Sequence, residues 1–428
     1  MKKLIIDNVG PIKHVELDLK QVNVIIGPQG SGKSCILKVA SFCAWVEKHI
    51  MLDMSFDCLF NKGFVQQELI EFHRLNKLID KNSHIYYCSD YIEFKYQDEC
   101  FTHPDCKGER SDYKLSRVSY IPAERNIISV VPNIFEINFG RDYVRSFISD
   151  WNMARKFFSG GTSLPILDLP VNYHVDDANN QDVIDIPNRS TIPLTNASSG
   201  IQSLVPMCSY LDFLFEKQYS ETLPSSANED NRNLTFAIRL YNSKYSEYSN
   251  FPDKPKDIAF PITEDIGSMR FPFKNKADYR ECLQIYNNHT KVSHSDIFLE
   301  EPEQNIFPDT QVKLVYYLLE KIKLHQDNLF MATHSHYILY ALNNCMLGHL
   351  VAETAREAGD KEALQFQNSW IDPAQVGVWE LKDGMLNPVE DSPSNTIQDK
   401  DGLIRGNYFD RVMRNVMADF TNLMNYYE

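Results

Sequence analysis

The chain has 428 residues, of which 43% are hydrophobic and 24% are charged, so wholesale disorder is excluded. The formal net charge is −15, which disfavours a protein whose whole surface binds duplex DNA and makes protein partners the first expectation. The sequence contains no run of about 18 apolar residues, and the N-terminus meets a charge too early for a signal peptide. We therefore expect a soluble, cytoplasmic protein with no membrane segment.

Three short strands and a phosphate-binding loop are predicted at the N-terminus. The strands are residues 4–6, 15–19 and Val22–Ile26. The third strand runs into Gly27-Pro28-Gln29-Gly30-Ser31-Gly32-Lys33-Ser34, which satisfies G-x-x-x-x-G-K-[ST]. A helix is predicted from there to about His49. A glycine-rich turn that fits the pattern by chance is the alternative, and the flanking strand and helix argue against it.

This loop has the residue types that bind the phosphates of a nucleotide. Its three glycines allow successive backbone N–H groups and the helix N-terminus to point at an anion. Lys33 would lie against the β- and γ-phosphates, and the Ser34 hydroxyl would complete the coordination of a Mg²⁺ ion.

The next 130 residues are predicted to alternate between helices and strands. Helical periodicity covers residues 64–79 and 135–158, residues 84–88 and 91–96 form an antiparallel pair, and residues 115–121 form another strand. Glu124 and Arg125 follow that last strand, where loops of α/β proteins often carry function; an ordinary strand-to-helix cap is the alternative. Residues 160–197 are expected to be extended and turn structure.

A second anion-binding helix start is predicted at Ser198-Ser199-Gly200, before an apolar helix over residues 204–215. On its own this pattern is weak, because Ser-Ser-Gly is also common as a plain helix cap. Residues 217–290 are polar and irregular, and we interpret them as an insertion of unknown fold.

Two buried strands in the C-terminal half each end in polar side chains. Residues 297–299 lead into Glu300 and Glu301, of which the first suits an outer-shell position at Mg²⁺ and the second suits the polarising of an attacking water. A helix over residues 309–324 follows, then a strand, Asn328–Ala332, and His334, which can hydrogen-bond a γ-phosphate. Each pattern is common on its own, but all of them suit the binding or hydrolysis of one nucleoside triphosphate.

The nine cysteines are predicted to be reduced core residues. One cluster, Cys100-Phe101-Thr102-His103-Pro104-Asp105-Cys106, does not have the spacing of the usual structural zinc sites. We predict a polar hairpin turn there and keep a metal site as the alternative.

Together these motifs resemble the ABC-type ATPase head of the SMC-related kind, in the subgroup of small bacterial AAA-labelled ATPases that includes OLD-family proteins. The resemblance covers about residues 1–215 and 290–390. Residues 27–34 match Walker A, residues 198–202 the cassette signature, residues 297–301 Walker B, residues 302–308 the D-loop, and His334 the switch histidine. Residues 120–125 resemble the segment near the Q-loop without its glutamine, and Glu300 stands where the wider family prefers Asp.

The resemblance implies an α/β fold, with a mixed central sheet, flanking helices, an antiparallel subdomain and a helical signature region. It also implies an ATPase that uses ATP and Mg²⁺, in which two heads sandwich two ATP molecules and hydrolysis requires this dimer. The implied site has Glu301, His334 and Lys33 as catalytic residues and Ser34 and Glu300 at the metal. The implied nucleotide-binding residues are Gly27, Pro28, Gln29, Gly30, Ser31, Gly32, Lys33, Ser34, Cys35, Ser198, Ser199, Gly200 and Gln202.

Three functions compete on this basis. The first is a regulatory ATPase of bacterial phage defence, similar to the ATPase subunits of the Septu and PARIS systems, which controls a separate nuclease or toxin and responds to a DNA or phage-encoded trigger. The second is an OLD-like nuclease, for which Asp399-Lys400-Asp401 is the sole D-x-D after His336. The third is a DNA repair ATPase like RecF.

The predicted organisation has four parts. Residues 1–216 form the N-terminal part of the head, 217–290 the insertion, 291–390 the C-terminal part, which closes with a hairpin at 376–384, and 391–428 a linker and an amphipathic helix over 408–427. Packing of this helix back on the head is the first expectation, and oligomer or partner docking is the alternative.

Overall fold

The computed structural model describes residues 2–187, 191–220, 227–245, 262–390, 392 and 394–427. Within these ranges the chain forms a mixed α/β structure around one large sheet. Parts of the predicted insertion (221–226 and 246–261) and of the predicted linker (391 and 393) lie outside the described residues, as does the side chain of His103 in the cysteine cluster.

The strands are β1 (Lys2–Val9), β2 (Ile12–Leu19), β3 (Val22–Ile26), β4 (His84–Cys88), β5 (Ile92–Gln97), β6 (Cys100–Cys106), β7 (Ser116–Ile121), β8 (Leu164–Pro165), β9 (Asn172–Asp176), β10 (Gln181–Asp185), β11 (Ile192–Pro193), β12 (Ile262–Ile266), β13 (Met269–Phe273), β14 (His294–Glu300), β15 (Asn328–Ala332), β16 (Val376–Lys382) and β17 (Met385–Leu386). The α-helices are α1 (Lys33–Asp53), α2 (Ile127–Val130), α3 (Tyr143–Ala154), α4 (Ser199–Phe215), α5 (Ala227–Tyr245), α6 (Lys276–Thr290), α7 (Pro308–Lys321), α8 (His336–Leu350), α9 (Ala352–Ala358) and α10 (Tyr408–Met424).

The large sheet has eleven strands in the order β6-β5-β4-β1-β2-β17-β16-β3-β15-β14-β7. Strands β16, β3, β15, β14 and β7 are parallel to one another. Strands β6, β5, β4, β1 and β2 form an antiparallel meander at the other side. The mixed central sheet with an antiparallel subdomain and flanking helices, predicted from the sequence, is therefore confirmed.

The parallel half of the sheet is buried on both faces. Along β3, Val24 belongs to the hydrophobic core that contains α3, α4, α7 and α8, while its neighbour Ile25 belongs to the core that contains α1 and the meander. A strand covered on both faces favours apolar residues on both sides, and this is why residues 24–26, 297–299 and 329–332 read as continuous apolar runs. The polar side chains of the candidate site follow these runs at the carboxyl ends of the strands.

Two predicted helices are shorter than their periodicity indicates. Over residues 64–79 only residues 64–71 are helical, with Gln66–Glu71 as a π-helix, and turns follow them. Over residues 135–158 helix α3 begins at Tyr143, because the Asp142 side chain accepts the N–H of Arg145 and caps the helix there. Apart from residues 188–190, which lie outside the described residues, residues 160–197 are extended and turn structure as predicted, and they contain the small antiparallel sheet β11-β10-β9-β8.

The segments predicted as insertion and linker both pack. Helices α5 and α6 and the hairpin β12–β13 enclose a separate cluster that includes Phe236, Phe273 and Ile285. In the linker, Ile397 is buried and its N–H donates to the carbonyl of Val378 on β16. Strands β16 and β17 form the predicted closing hairpin.

Candidate functional site

The polar strand ends predicted to form a site lie at one edge of the sheet. Strands β3, β15, β14 and β7 are neighbours and parallel, so their carboxyl ends meet there. After these strands come the phosphate loop (residues 27–34), His334, the Glu300–Glu301 pair and Arg125. Ligands of open α/β sheets bind outside the carboxyl ends of the strands, so this edge is the candidate site.

The phosphate loop has a backbone that requires glycine. Gly27, Gly30 and Gly32 have φ values of 154°, 75° and 107°, which other residues rarely adopt. A Cβ atom at Gly27 would lie 2.6 Å from the carbonyl oxygen of Leu381, and one at Gly32 would lie 2.8 Å from Cγ1 of Ile12. Close approach of β16 and β2 therefore fixes the shape of the loop at the start of α1.

Lys33 is held over this loop. Its ammonium donates to the carbonyl oxygens of Gly27 at 3.0 Å and Pro28 at 2.9 Å. Burial lowers the pKa of Lys33 to about 8, against the opposing effect of the Glu301 and Glu303 carboxylates. An ammonium has three donors, so one remains for an anion at the loop.

Arg125 joins the end of β7 to the end of β14. Its side chain is fully buried, and its guanidinium donates to the backbone carbonyls of Glu300 at 2.8 Å and Glu301 at 2.7 Å. The carboxylate of Glu300 accepts the N–H of Ala123 at 3.3 Å. This segment is thus more than a strand-to-helix cap, because it fixes the backbone that carries both glutamates.

Glu301 and His334 face each other across the ends of β14 and β15. Glu301 has a φ of 41°, in the left-handed region, and its N–H donates to the carbonyl of Ala332. Its carboxylate lies 3.8 Å from Nε2 of His334, and both side chains are partly exposed. Burial and the Lys33 charge lower the pKa of His334, while Glu301 opposes them, so the imidazole is neutral at pH 7.

Glu303 was missed by sequence reasoning. Its carboxylate accepts the Thr333 hydroxyl at 2.8 Å and the His334 N–H at 2.5 Å, so it orients the loop that carries the histidine. Burial raises its pKa, and these hydrogen bonds oppose the shift. The only sequence signal was a carboxylate two residues after the Glu-Glu pair, which does not reveal a partner 30 residues away.

The segment 198–202 lies at the exposed N-terminus of α4. Ser198 and Ser199 are exposed, and the Ser198 side chain makes no capping hydrogen bond, so the plain-cap alternative is not what the geometry shows. A Cβ at Gly200 would lie 3.0 Å from the carbonyl oxygen of Asn305, and Ser203 donates to the carbonyl of Gln304. The side-chain amide of Gln202 donates to the carbonyl of Thr195, seven residues earlier in the chain.

The residues at the sheet edge fit a hydrated Mg²⁺ ion. Oε1 of Glu300 is buried and has no hydrogen-bond partner, while Ser34 is exposed at the start of α1. A carboxylate oxygen and a hydroxyl are ligand types that Mg²⁺ prefers, directly or through water. Within the described ranges, no cluster of three or more His, Cys, Asp and Glu side chains could hold a metal by itself. The predicted alternative at Cys100, His103 and Cys106 depends on the His103 side chain, which lies outside those ranges.

Three of the solved structures to which the chain is similar share little sequence with it. The SMC head domain from Thermotoga maritima is 12% identical, covering 79% of this chain and 90% of its own, with a TM-score of 0.32. The Smc head domain bound to the C-terminal domain of ScpA from Pyrococcus furiosus is 9% identical, covering 80% and 92%, with a TM-score of 0.34. The recombination mediator RecF is 12% identical, covering 90% and 96%, with a TM-score of 0.28.

No protein-family model and no curated protein matches the chain. Because the similarities are low, the description of the fold rests on the sheet and its strand order. In the described part of the chain, none of the helices is both long enough and apolar enough to span a bilayer.

Proposed function

We propose that the chain is an ABC-type ATPase that binds and hydrolyses ATP and acts as a nucleotide-dependent switch on a separate effector, a nuclease or toxin, in bacterial phage defence. The observation that carries the ATPase part is the convergence of the phosphate loop, Glu300, Glu301 and His334 at the ends of three adjacent parallel strands. Each of these parts has a use in phosphoryl transfer, and a structural role alone would not require them at the same edge.

The geometry supports a separate role for each of these residues at the γ-phosphate. The loop N–H groups and Lys33 would hold the phosphates, and Ser34 with Glu300 would hold Mg²⁺ and its waters, which neutralise phosphate charge. Glu301, which is partly exposed, would orient and polarise the attacking water. Neutral His334 would donate a hydrogen bond to the γ-phosphate, and its distance of 3.8 Å from Glu301 would allow one water molecule to contact both groups.

We further propose that hydrolysis occurs between two heads. Ser198 and Ser199 are exposed at a helix N-terminus, which suits an anion supplied from outside the chain. In the proposed dimer these groups complete the phosphate loop of the partner. Engagement on ATP binding and release on turnover would then make the head a two-state switch.

Effector control rests on the resemblance to the ATPase subunits of Septu and PARIS systems. One observation weakens the nuclease alternative. The Asp399 carboxylate accepts the N–H groups of Asp401 and Leu403 and pairs with Arg405 at 2.9 Å, so it is committed to its own turn. The RecF-like alternative is weakened by the net charge of −15.

ATP binding and hydrolysis by two variants test the catalytic assignment. Lys33→Ala is expected to lose ATP binding, and Glu301→Gln to bind ATP and lose hydrolysis, while Glu353→Gln, an exposed carboxylate on α9, serves as the matched control. Hydrolysis by Glu301→Gln at the wild-type rate would overturn the assignment of the base.

Native mass tests the effector part. The protein is tagged, expressed with its own neighbouring genes, purified and weighed as an intact complex. A stable assembly with a second, different chain supports the proposal. A homo-oligomer alone contradicts a separate effector and shifts weight to the repair alternative.

A further inference from the structure

A cavity of about 1010 Å³ lies between α1, β7, α3 and α5, away from the phosphate loop. Lys48 lines it from α1, Arg117 from β7, and Arg232 from α5. Lys48 follows Lys33 by 15 residues on the same helix, which corresponds to about 22 Å along the axis. The Lys48 end of the cavity is therefore distant from the phosphate loop, whereas the opposite wall, at Tyr120, lies against Glu300.

The cavity wall carries an excess of positive charge. Five cationic and three acidic side chains line it, and two of the acids are engaged with cations: Glu68 bonds Arg141 at 2.8 Å, and Asp150 lies 3.7 Å from Arg117. Lys48 and Arg232 form no ion pair or hydrogen bond within the residues that the structure describes. Burial lowers the pKa of Lys48 to about 8, and the nearby charges of Arg117 and Arg232 lower it further.

Several buried polar atoms of the same wall lack a partner. They are Nε of Arg232, Oδ1 of Asn233, Oε1 of Gln218 and Nδ1 of His73. Burial lowers the pKa of His73 to about 3, so its ring is neutral. Buried polar groups are almost always hydrogen-bonded, so these four atoms need partners, which water or a bound polar molecule in the cavity would supply.

The rest of the wall is aromatic. Phe42, Trp45, Phe72, Tyr143 and Tyr219 line the cavity together with the polar groups. A cationic pair binds a phosphate, aromatic faces stack on a planar ring, and unpartnered amide groups can read the edge of a base. The volume is at the upper end of the range for small-molecule sites, about 300–1,000 Å³.

We propose that this cavity is a second nucleotide site, in which Lys48 and Arg232 bind the phosphate of a nucleoside phosphate and the aromatic side chains hold its base. The site is separate from the phosphate loop and does not depend on the proposed ATPase activity. A ligand here would contact α1 near its C-terminal end, and the same helix begins at Lys33.

Binding is tested in the full-length Lys33→Ala variant, which disables the phosphate loop. Equilibrium dialysis with radiolabelled AMP, GMP, CMP and UMP is expected to show about one bound equivalent per chain for at least one of them. Adding Lys48→Met and Arg232→Met is expected to weaken that binding at least about 30-fold, because both charged partners of the phosphate are lost. Arg239→Met is the matched control, since Arg239 lies on the same helix, is exposed and bonds Asp53.

A stability measurement separates a binding role from a structural one. Replacing unpaired buried charges by apolar groups of similar length is expected to raise the melting temperature of the ligand-free protein. A lower melting temperature for Lys48→Met, or binding of none of the four nucleotides at millimolar concentration, would overturn the proposal. Nucleotide binding by the Lys48→Met, Arg232→Met variant that equals binding by its Lys33→Ala parent would also overturn it. Should the pair fail to fold, Asn233→Leu is expected to weaken binding about tenfold by removing one amide.

Failure here is distinguishable from failure of the proposed ATPase. If the cavity binds no nucleotide, ATP hydrolysis by the wild-type protein still tests the proposed ATPase. If the protein does not hydrolyse ATP, dialysis with the Lys33→Ala variant still tests the cavity.

Discussion

Arg125 connects two segments that are 175 residues apart in the chain. Its guanidinium donates to the successive carbonyls of Glu300 and Glu301, from a side chain with no solvent exposure. Burial lowers its pKa to about 10, so it remains charged at neutral pH. A planar fork can bond two adjacent carbonyls at once, whereas a lysine ammonium is a point donor on a flexible stem.

We therefore predict that Arg125→Lys lowers the rate of ATP hydrolysis at least about tenfold, with a smaller effect on ATP binding, because the glutamate backbone loses its support. Hydrolysis rate and nucleotide affinity measured on the same preparations check this. Arg145→Lys, whose exposed side chain bonds the carbonyl of Phe139, is the control. Equal losses of affinity and rate would indicate general unfolding instead.

Asp327 makes the stability of the fold depend on pH. Its side chain is fully buried, Oδ1 accepts the N–H of Ser295 at 2.6 Å, and Oδ2 has no partner. Burial raises the pKa of Asp327 to about 7 from an ordinary value of 3.8. The folded state thus binds the proton more tightly than the unfolded state, so stability is greatest below the unfolded value and is lost as pH rises towards 7.

Asp327→Asn keeps the acceptor and removes the titration. We predict that its advantage in free energy of unfolding over the wild-type protein is larger at pH 8 than at pH 5, by about 2 kcal/mol. Urea unfolding of both proteins at the two pH values measures this. An advantage that does not change with pH would show that Asp327 does not titrate in this window.

At the scale of elements, secondary structure was predicted more accurately for elements that are buried on both faces than for partly exposed ones. Strands β3, β14 and β15 are covered on both faces, and their apolar runs identified them. Residues 64–79 have helical periodicity throughout, but residues 72–79 are turns and loop, and Leu69 and Leu75 are buried in the segment while polar neighbours face solvent. Amphipathic spacing reports which side chains are buried, and turns that bury the same side chains produce a similar pattern.

The candidate site was predicted in part for the same reason. Residues 27–34, Glu300, Glu301 and His334 follow recognisable local patterns at strand ends. The bonds of Arg125 and Glu303 join segments distant in sequence, so no local pattern contains them. The cationic cavity likewise needs side chains from α1, β7 and α5, whose association only the tertiary structure provides.

Helix α10 was expected first to pack back on the head, and only its first turn does so. Asp410 accepts the hydroxyl of Tyr340, and Arg411 bonds the buried carboxylate of Glu380. The apolar side chains of the following turns are more than 40% exposed, Met413, Val416, Phe420 and Leu423 among them. An exposed apolar face of this length makes little contribution to the stability of a single chain.

We predict that Phe420→Ala changes the free energy of unfolding of the monomer by less than about 0.5 kcal/mol, because no buried contact is lost. Arg411→Ala is expected to cost several times more, about 3 kcal/mol, since it leaves the Glu380 carboxylate buried without its cation. Chemical denaturation at low protein concentration checks both. A cost above about 2 kcal/mol for Phe420→Ala would show that the helix packs on the head in solution.

At the scale of the whole molecule, the proposed mechanism divides each active site between two copies of the chain. Lys33 and the signature serines lie on different elements: Lys33 begins α1 at the end of β3, while Ser198 and Ser199 precede α4, whose first turns contact the Gln304–Asn305 loop. If two heads sandwich ATP in a twofold arrangement, the phosphate loop of one chain uses the serines of its partner. If each of two chains carries a defect in a different part, the intact phosphate loop of one chain can then combine with the intact serines of the other.

Mixing two inactive variants tests this arrangement directly. Lys33→Ala and Ser199→Arg are each expected to be inactive alone, the first for want of nucleotide binding and the second because a bulky cation blocks the exposed helix N-terminus. In an equimolar mixture, half of the dimers contain one chain of each kind, and each such dimer has one intact site. If the two sites act independently, the mixture should recover about a quarter of the wild-type hydrolysis rate. A mixture as inactive as its components would mean either that each site is formed within one chain or that both sites must be intact together. A covalently linked heterodimer separates these outcomes, because in it a single intact site is present in every molecule.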